Sequence, residues 1–261
     1  MRDDSATFHV SADPYDRYIG RYGADLAAGL IAAAGVQPGM SVLDVGCGPG
    51  ALAAAVAQVV GESAVAAVDP SEPFVTSCRA RLPDADVRVA SAEALPFGDE
   101  AFDAALAQLV VNFMRDPQAG VREMARVTRR GGTVAACVWD YGGQMTLIRA
   151  YWDAAIAADR SAADLDERRM QHCREGELAA LFERAGLRDV RGGELTAHAS
   201  YESCADLIAP LASGVGPVGA HYASLDADAR ERLESELQKR LGVGDVPFRL
   251  SARAWTAVGT V

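Results

Sequence analysis

The chain has 261 residues, half of them hydrophobic, and a net charge of −11 in which arginine carries almost all the positive charge and Lys239 is the single lysine. That length allows between one and two domains. The acidic balance, with no basic tract, argues against nucleic acid as a partner, and one lysine on a surface-type helix argues against Schiff-base chemistry. Cys47, Cys78, Cys137, Cys173 and Cys204 are odd in number and contain no C-x-x-C pair, so a disulfide framework or zinc site lacks support, and free thiols in a cytoplasmic protein are expected. Met1-Arg2-Asp3-Asp4 does not begin a secretory leader, and no apolar run approaches the roughly 18 residues of a spanning helix, so no membrane partner is expected.

From Asp13 to Ala34 the pattern is helical, with Tyr15, Tyr18, Ile19, Tyr22, Leu26, Leu30 and Ile31 recurring at three and four, and Gly20, Gly23 and Gly29 allow a joint. Gln37-Pro38-Gly39 turns the chain into a short apolar strand, Ser41 to Val45. Gly46, Gly48 and Gly50 follow at alternate positions and open an Ala-rich helix, Ala51 to Val60. A strand, a glycine turn and a helix make a nucleotide-binding arrangement, because glycine permits close approach of backbone to ligand and the first helix amides stay free. The dinucleotide fingerprint needs glycine where Ala51 stands, so a nicotinamide dehydrogenase is disfavoured.

Ala64 to Val68 is the second strand, ended by Asp69-Pro70, and Ser71 caps the next helix. An acid at the tip of that strand can accept hydrogen bonds from both ribose hydroxyls of an adenosine lying across the strand ends. Further strands are expected at Asp86 to Ala90, Phe102 to Gln108 and Thr133 to Val138, with a helix from Pro117 that Gly131-Gly132 stops. Past Asp140 the alternation breaks. Gln144 to Asp159 and Glu177 to Ala185 read as helices, 189–197 as a sixth strand, 201–241 as a helical insertion and Phe248 to Val258 as a last strand. The alternation predicts an α/β fold, doubly wound on a mostly parallel sheet. Segments 46–50, 69–70 and 91–93 all fall at the carboxyl ends of strands, where such sheets bind ligands.

Together these residues resemble the class I S-adenosylmethionine-dependent methyltransferases, in particular the type 11 group that includes ubiquinone/menaquinone C-methyltransferase-like enzymes. The resemblance rests on Val42-Leu43-Asp44-Val45-Gly46-Cys47-Gly48-Pro49-Gly50, on Val68-Asp69, on Ala92-Glu93-Ala94-Leu95-Pro96-Phe97, on Phe102-Asp103, and on Arg126 to Gly132. Tyr15 to Tyr22 is similar to the family's lid helix. The resemblance implies a Rossmann-like seven-stranded sheet in a single domain over 1–261. Residues 13–139 would form the cofactor core, 140–175 and 200–245 helical cap insertions, and 176–199 and 246–261 the rest of the sheet. It implies methyl transfer from S-adenosylmethionine to a small-molecule acceptor by in-line displacement, with release of S-adenosylhomocysteine. Gly46, Cys47, Gly48 and Gly50 would pass under the methionine and ribose portions, with Asp44 on the amino group. Asp69 and Pro70 would meet the ribose and Ala92 and Glu93 the adenine, with Leu109 or Val110 across the ring. Gln108 would lie near the methionine part, and Tyr15 and Tyr22 would close over the cofactor or pack against the sheet.

A sulfonium methyl is already electrophilic, so the protein has chiefly to hold a nucleophile in line and exclude water. No residue stands out as catalytic: His172, Asn112 and Tyr15 are the candidates for a base or an acceptor contact, with Trp139 a wall or a contact, and His198 and His221 near segments that roof the pocket. Asp140 has no visible companions for a metal, so none is expected. The alternatives are a non-methylating biosynthetic reaction on the same fold and cofactor, or a cofactor-binding regulatory protein. A monomer or a homodimer fits equally.

Overall fold

The computed structural model describes residues 17–244 and 246–261, so Tyr15 and the start of the expected lid lie outside the described residues. The described chain enters through a 3-10 turn, Ile19–Tyr22, and passes directly into helix α1 (Gly23–Ala34). The joint foreshadowed by the glycines is therefore at Gly23. Gly35 ends α1 in the left-handed conformation, φ 68°, which returns two amides to the last turn.

Strand β1 (Val42–Val45), helix α2 (Ala51–Val60), strand β2 (Val65–Asp69), helix α3 (Glu72–Arg81), strand β3 (Asp86–Val89), strand β4 (Phe102–Gln108), helix α4 (Pro117–Val127) and strand β5 (Thr128–Trp139) carry the alternation. Every residue of β1 and β2 is buried, as befits central parallel strands covered on both faces, and this is why they read as unbroken apolar runs. Val42 pairs with Val65 on one side and with Ala104 on the other, so β1 is the parallel centre between β2 and β4. Helix α1 packs beside α2.

Beyond β5 come helices α5 (Thr146–Ala158) and α6 (Glu177–Ala185), strand β6 (Arg188–Tyr201), helices α7 (Cys204–Ile208), α8 (Gly216–Ser224) and α9 (Ala227–Leu241), and strand β7 (Phe248–Thr260). The seven-stranded sheet has the order β3-β2-β1-β4-β5-β7-β6, with β7 antiparallel between β5 and β6. The chain runs outward from β1 to β3 and resumes on the other side at β4. Order reverses between β1 and β4, which is where a doubly wound sheet opens a crevice. Helix α5 packs against α8 and α9, and these helices from 146–158 and 216–241 form a cap outside the sheet.

Three strands depart from the boundaries expected from sequence. β5 begins at Thr128, because Thr128 pairs with Phe102 ahead of a bulge that resets the register at Ala104 and Thr133. The glycines at 131 and 132 therefore sit inside the strand and not at the helix stop. β6 and β7 outrun their apolar cores because they pair with each other from Arg188↔Thr260 to Tyr201↔Phe248, and backbone pairing tolerates the polar residues between. The amphipathic helix expected at 177–185 has those bounds.

Candidate functional site

A cavity of about 390 Å³ opens over the tips of β1, β2 and β4. It is lined by Asp44, Gly46, Cys47, Gly48, Asp69, Pro70, Ala92, Glu93, Gln108 and Leu109 from the expected set. Its floor is backbone. The amides of Gly46 and Cys47 both donate to Val68 O, at 2.7 and 2.9 Å, which folds the loop back across the end of β2. Gly46 has φ 74°, and a Cβ there would stand 2.4 Å from Val110 Cγ2, so only glycine lets the loop lie this close to the segment after β4.

Asp69 ends β2 and is buried; its Oδ2 accepts from Gly48 N at 2.9 Å and its Oδ1 from Ser71 N at 2.8 Å. The carboxylate thus ties the glycine loop to the start of α3. Glu93 is tied in a comparable way. Burial works against its ionisation, but hydrogen bonds from the Ser91 hydroxyl and from the Glu93, Asp116 and Arg115 amides outweigh that and hold the carboxyl below its usual range.

Asp44 is the opposite case. It is 1% exposed, and neither Oδ1 nor Oδ2 has a hydrogen-bond partner among the described residues. Burial pushes its carboxyl up to about 7, and the charge of Asp69 adds to the rise. The Ala53 backbone N–H, which falls outside hydrogen-bonding geometry, offsets only part of it. Two more polar atoms of the lining are buried and unpartnered, Ser71 Oγ and Gln108 Oε1. Gln108 spends its Nε2 on Gly23 O at 3.4 Å, which fastens the N-terminal segment to the end of β4. Unsatisfied buried acceptors are costly. A wall with Asp44, Asp69 and Gln108 as acceptors, and with Arg115 as its one basic side chain among the described residues, suits a ligand rich in donors and positive charge and does not suit a phosphate.

Other residues singled out by sequence lie elsewhere. Gly50 is the N-cap of α2, behind the loop against Cys78, and does not line the cavity. Tyr22 is fully buried and does not line the cavity; it lies edge-on to Trp139 at 5.5 Å, with its hydroxyl 3.3 Å from that of Tyr201. The N-terminal segment meets the cavity instead through Ile19, Gly20 and Gly23. Asn112 Nδ2 donates to Met170 Sδ at 3.3 Å. His172 lines a separate groove with Arg169, Arg174 and Arg184. His198 pairs with Asp25, and His221 Nδ1 lies 2.7 Å from the Tyr151 hydroxyl inside the cap. Asp140 accepts from Arg253 at 2.8 Å and from Gln144 N at 2.7 Å. No group of three His, Cys, Asp or Glu among the described residues is arranged to hold a metal, and no helix among them is long and apolar enough to cross a membrane.

Sequence reasoning missed Ser71 and Phe74 as wall residues. Ser71 was expected to cap α3, and it does stand at the N-cap, but its hydroxyl makes no capping bond and lines the cavity. Its only sequence signal is its place two residues after the β2 acid.

A family model described as a methyltransferase domain matches residues 43–136, the stretch from β1 through the parallel half of the sheet. An uncharacterized protein of Mycobacterium tuberculosis is 34% identical over 138 residues, 50% of this chain and 49% of that protein. A malonyl-[acyl-carrier protein] O-methyltransferase of Pseudescherichia vulneris is 32% identical over 164 residues, 61% of this chain and 63% of that one. The chain thus spans about half to under two thirds of the length of these curated relatives. A phosphoethanolamine N-methyltransferase of Haemonchus contortus, solved with phosphomonomethylethanolamine and S-adenosylhomocysteine, shares the fold at TM-score 0.55 and 14% identity, over 90% of this chain and 52% of that one. Residues 43–136, which match the methyltransferase-domain model, carry most of the cavity's lining.

Proposed function

We propose that the protein methylates a small-molecule acceptor by in-line displacement on S-adenosylmethionine and releases S-adenosylhomocysteine. The observation that carries this reading is the buried, unpartnered carboxylate of Asp44 in the wall of the 390 Å³ cavity at the switch point. The cofactor's ammonium group is the partner that would repay that burial, because a charge-assisted hydrogen bond is about twice as strong as a neutral one. Asp69, at the tip of β2 in the cavity wall, would take the ribose hydroxyls. Ala92 and Glu93 would flank the adenine opposite Leu109 or Val110, and Gln108 Oε1 would accept from the methionine portion. Gly46, Cys47, Gly48 and Pro70 supply the backbone floor.

When bound, the cofactor supplies a methyl group made electrophilic by the sulfonium. The protein's own work is then to orient and to keep water out: Ile19, Leu109, Phe113 and Met114 make the cavity's apolar side. An O-methyltransferase among the relatives supports oxygen as the atom methylated.

Calorimetry with S-adenosylmethionine and S-adenosylhomocysteine tests the cofactor half of the reading, and transfer of label from methyl-labelled cofactor tests the reaction. Binding of both with stoichiometric release of the demethylated product is expected. Binding without label transfer to any acceptor would instead favour a non-methylating reaction.

A further inference from the structure

Two further hollows lie beyond the large cavity. One, of about 40 Å³, shares Ile19, Leu109 and Phe113 with it, so the two adjoin. Its other walls come from distant parts of the chain: Trp139 at the end of β5, Glu167 in a 3-10 turn, and Val215 to Val218 where α8 begins. The other is a groove of about 340 Å³ between helix α6 and the turn that leads into it. Glu177, Ala180 and Arg184 line this groove at spacings of three and four, so they share one face of α6. The turn contributes Arg169, Met170, His172 and Arg174.

The groove inverts the charge of the chain around it. The protein carries −11 overall, yet among the described residues the groove is lined by three arginines against one glutamate. Neither Arg169 nor Arg184 has an ion-pair partner among the described residues. Arg174 reaches Glu177 only at 3.5 Å with both side chains open to solvent, which ties it weakly. The neighbouring Arg168 shows the alternative: it is spent on Asp166 and Asp153 and does not line the groove. Burial and the charge of Arg184 lower the proton affinity of His172, so at neutral pH its ring adds one N–H donor and no charge. The groove is also fastened to the segment that follows β4. Met170 Sδ accepts from Asn112 Nδ2 at 3.3 Å, and Gln118 Nε2 donates to Arg184 O at 2.9 Å. Phe113 and Met114 of that same segment line the large cavity.

A guanidinium has donors and no acceptor, so a ligand here must accept, and three arginines against one glutamate call for a dianion. A phosphate monoester carries about −1.5 to −2 at neutral pH and offers three terminal oxygens, each able to meet an arginine fork. A single carboxylate would leave one positive charge unmatched. A nucleic-acid strand would run past the groove, which extends roughly 10 Å along α6 from Glu177 to Arg184, onto an acidic protein. We propose that this groove binds a dianionic phosphoryl group, held by Arg169, Arg174 and Arg184. The site goes beyond the methyl-transfer reading and does not depend on it. The same phosphoryl chemistry comes from two sources, inorganic phosphate and the phosphorylated end of a small molecule.

The test titrates the whole protein at fixed ionic strength with phenyl phosphate, inorganic phosphate and benzoate, followed by ligand-observed NMR. Phenyl phosphate is expected to bind about tenfold more tightly than benzoate. Arg169→Gln and Arg184→Gln should each weaken it by about five- to tenfold, the loss of one charge-assisted hydrogen bond. Both arginines are exposed, so these variants leave the core intact. Arg232→Gln, exposed on α9 and outside the groove, should leave phenyl phosphate affinity unchanged. Inorganic phosphate binding as tightly as phenyl phosphate assigns the groove to the free ion, and weaker binding assigns it to a phosphorylated molecule; either supports the proposal. No binding of either phosphate, benzoate binding as tightly as phenyl phosphate, affinity unmoved by both groove variants, or an equal loss in Arg232→Gln overturns it. Calorimetry with S-adenosylhomocysteine is a separate arm: a wild-type protein that binds phenyl phosphate but not S-adenosylhomocysteine overturns the cofactor reading and leaves this site standing.

Discussion

The large cavity over the strand tips and the small one beside it are built from different materials. The first is floored by backbone from one short stretch, with Val68 O receiving two loop amides and Asp69 tying that loop to the next helix. The second is walled by side chains from residues 18, 113, 139, 167 and 215–218, which only the packing of the cap on the sheet brings together. The contrast teaches how such a fold divides its work. A site of fixed backbone geometry suits a ligand that does not change, while a site of side chains on a cap can be altered for another acceptor without disturbing the first.

The largest effect expected at the backbone-built site is a pH dependence. Asp44 has a folded-state carboxyl raised to about 7 from 3.8, so its contribution to stability is full below the unfolded carboxylate range and is lost as pH rises through about 7. The ligand-free wild type should therefore lose on the order of 4 kcal/mol between about pH 4 and pH 8 relative to Asp44→Asn, read from denaturant unfolding across that range. Over the same window the affinity for S-adenosylmethionine should rise with pH in the wild type, as Asp44 ionises, and stay level in Asp44→Asn. A wild type and a variant with parallel profiles would remove Asp44 from the cofactor site.

Next in size is Gly46→Ala, which adds a Cβ 2.4 Å from Val110 Cγ2 at a φ of 74°. It should cost about 3 kcal/mol in unfolding free energy, from strain and overpacking together. It should also abolish measurable S-adenosylhomocysteine binding in calorimetry. Stability and affinity both within error of wild type would mean the loop is not held where it is described. Asp69→Ala removes the acceptor of the Gly48 and Ser71 amides and should weaken the cofactor by about 2 kcal/mol. At the small end, His172→Ala and Asn112→Ala should change cofactor affinity by no more than about twofold, since neither side chain lines the large cavity. A larger loss in either would sharpen the picture by adding a third region to it.

The same contrast explains what could be read from the chain. β1, the glycine loop and Asp69 are contiguous or lie at the tips of adjacent strands, so strand pattern, glycine spacing and one acid were enough to place them on one crevice. Tyr22 shows the limit. Helical spacing put it on the same side as Ile19 and Leu26, yet it is Ile19 that lines the cavity while Tyr22 is buried away from it, edge-on to Trp139. Ser71 was legible as a cap, but whether a hydroxyl bonds its own helix or faces a ligand depends on a rotamer that spacing does not encode. Glu167 was not legible at all: it lies in a three-residue 3-10 turn, has no periodicity, and meets Trp152 on α5 only through the fold. The long pairing of β6 with β7 was hidden for a related reason, since polar residues alternate along both strands while backbone bonds decide their length.

A crystal grown with saturating S-adenosylhomocysteine tests the central claim most directly. The ligand's ammonium group is expected within hydrogen-bond reach of Asp44, with its ribose hydroxyls on Asp69 and its adenine between Ala92 and Leu109. An ordered ligand bound anywhere else, or a cavity over β1, β2 and β4 that stays empty at saturation, contradicts the account.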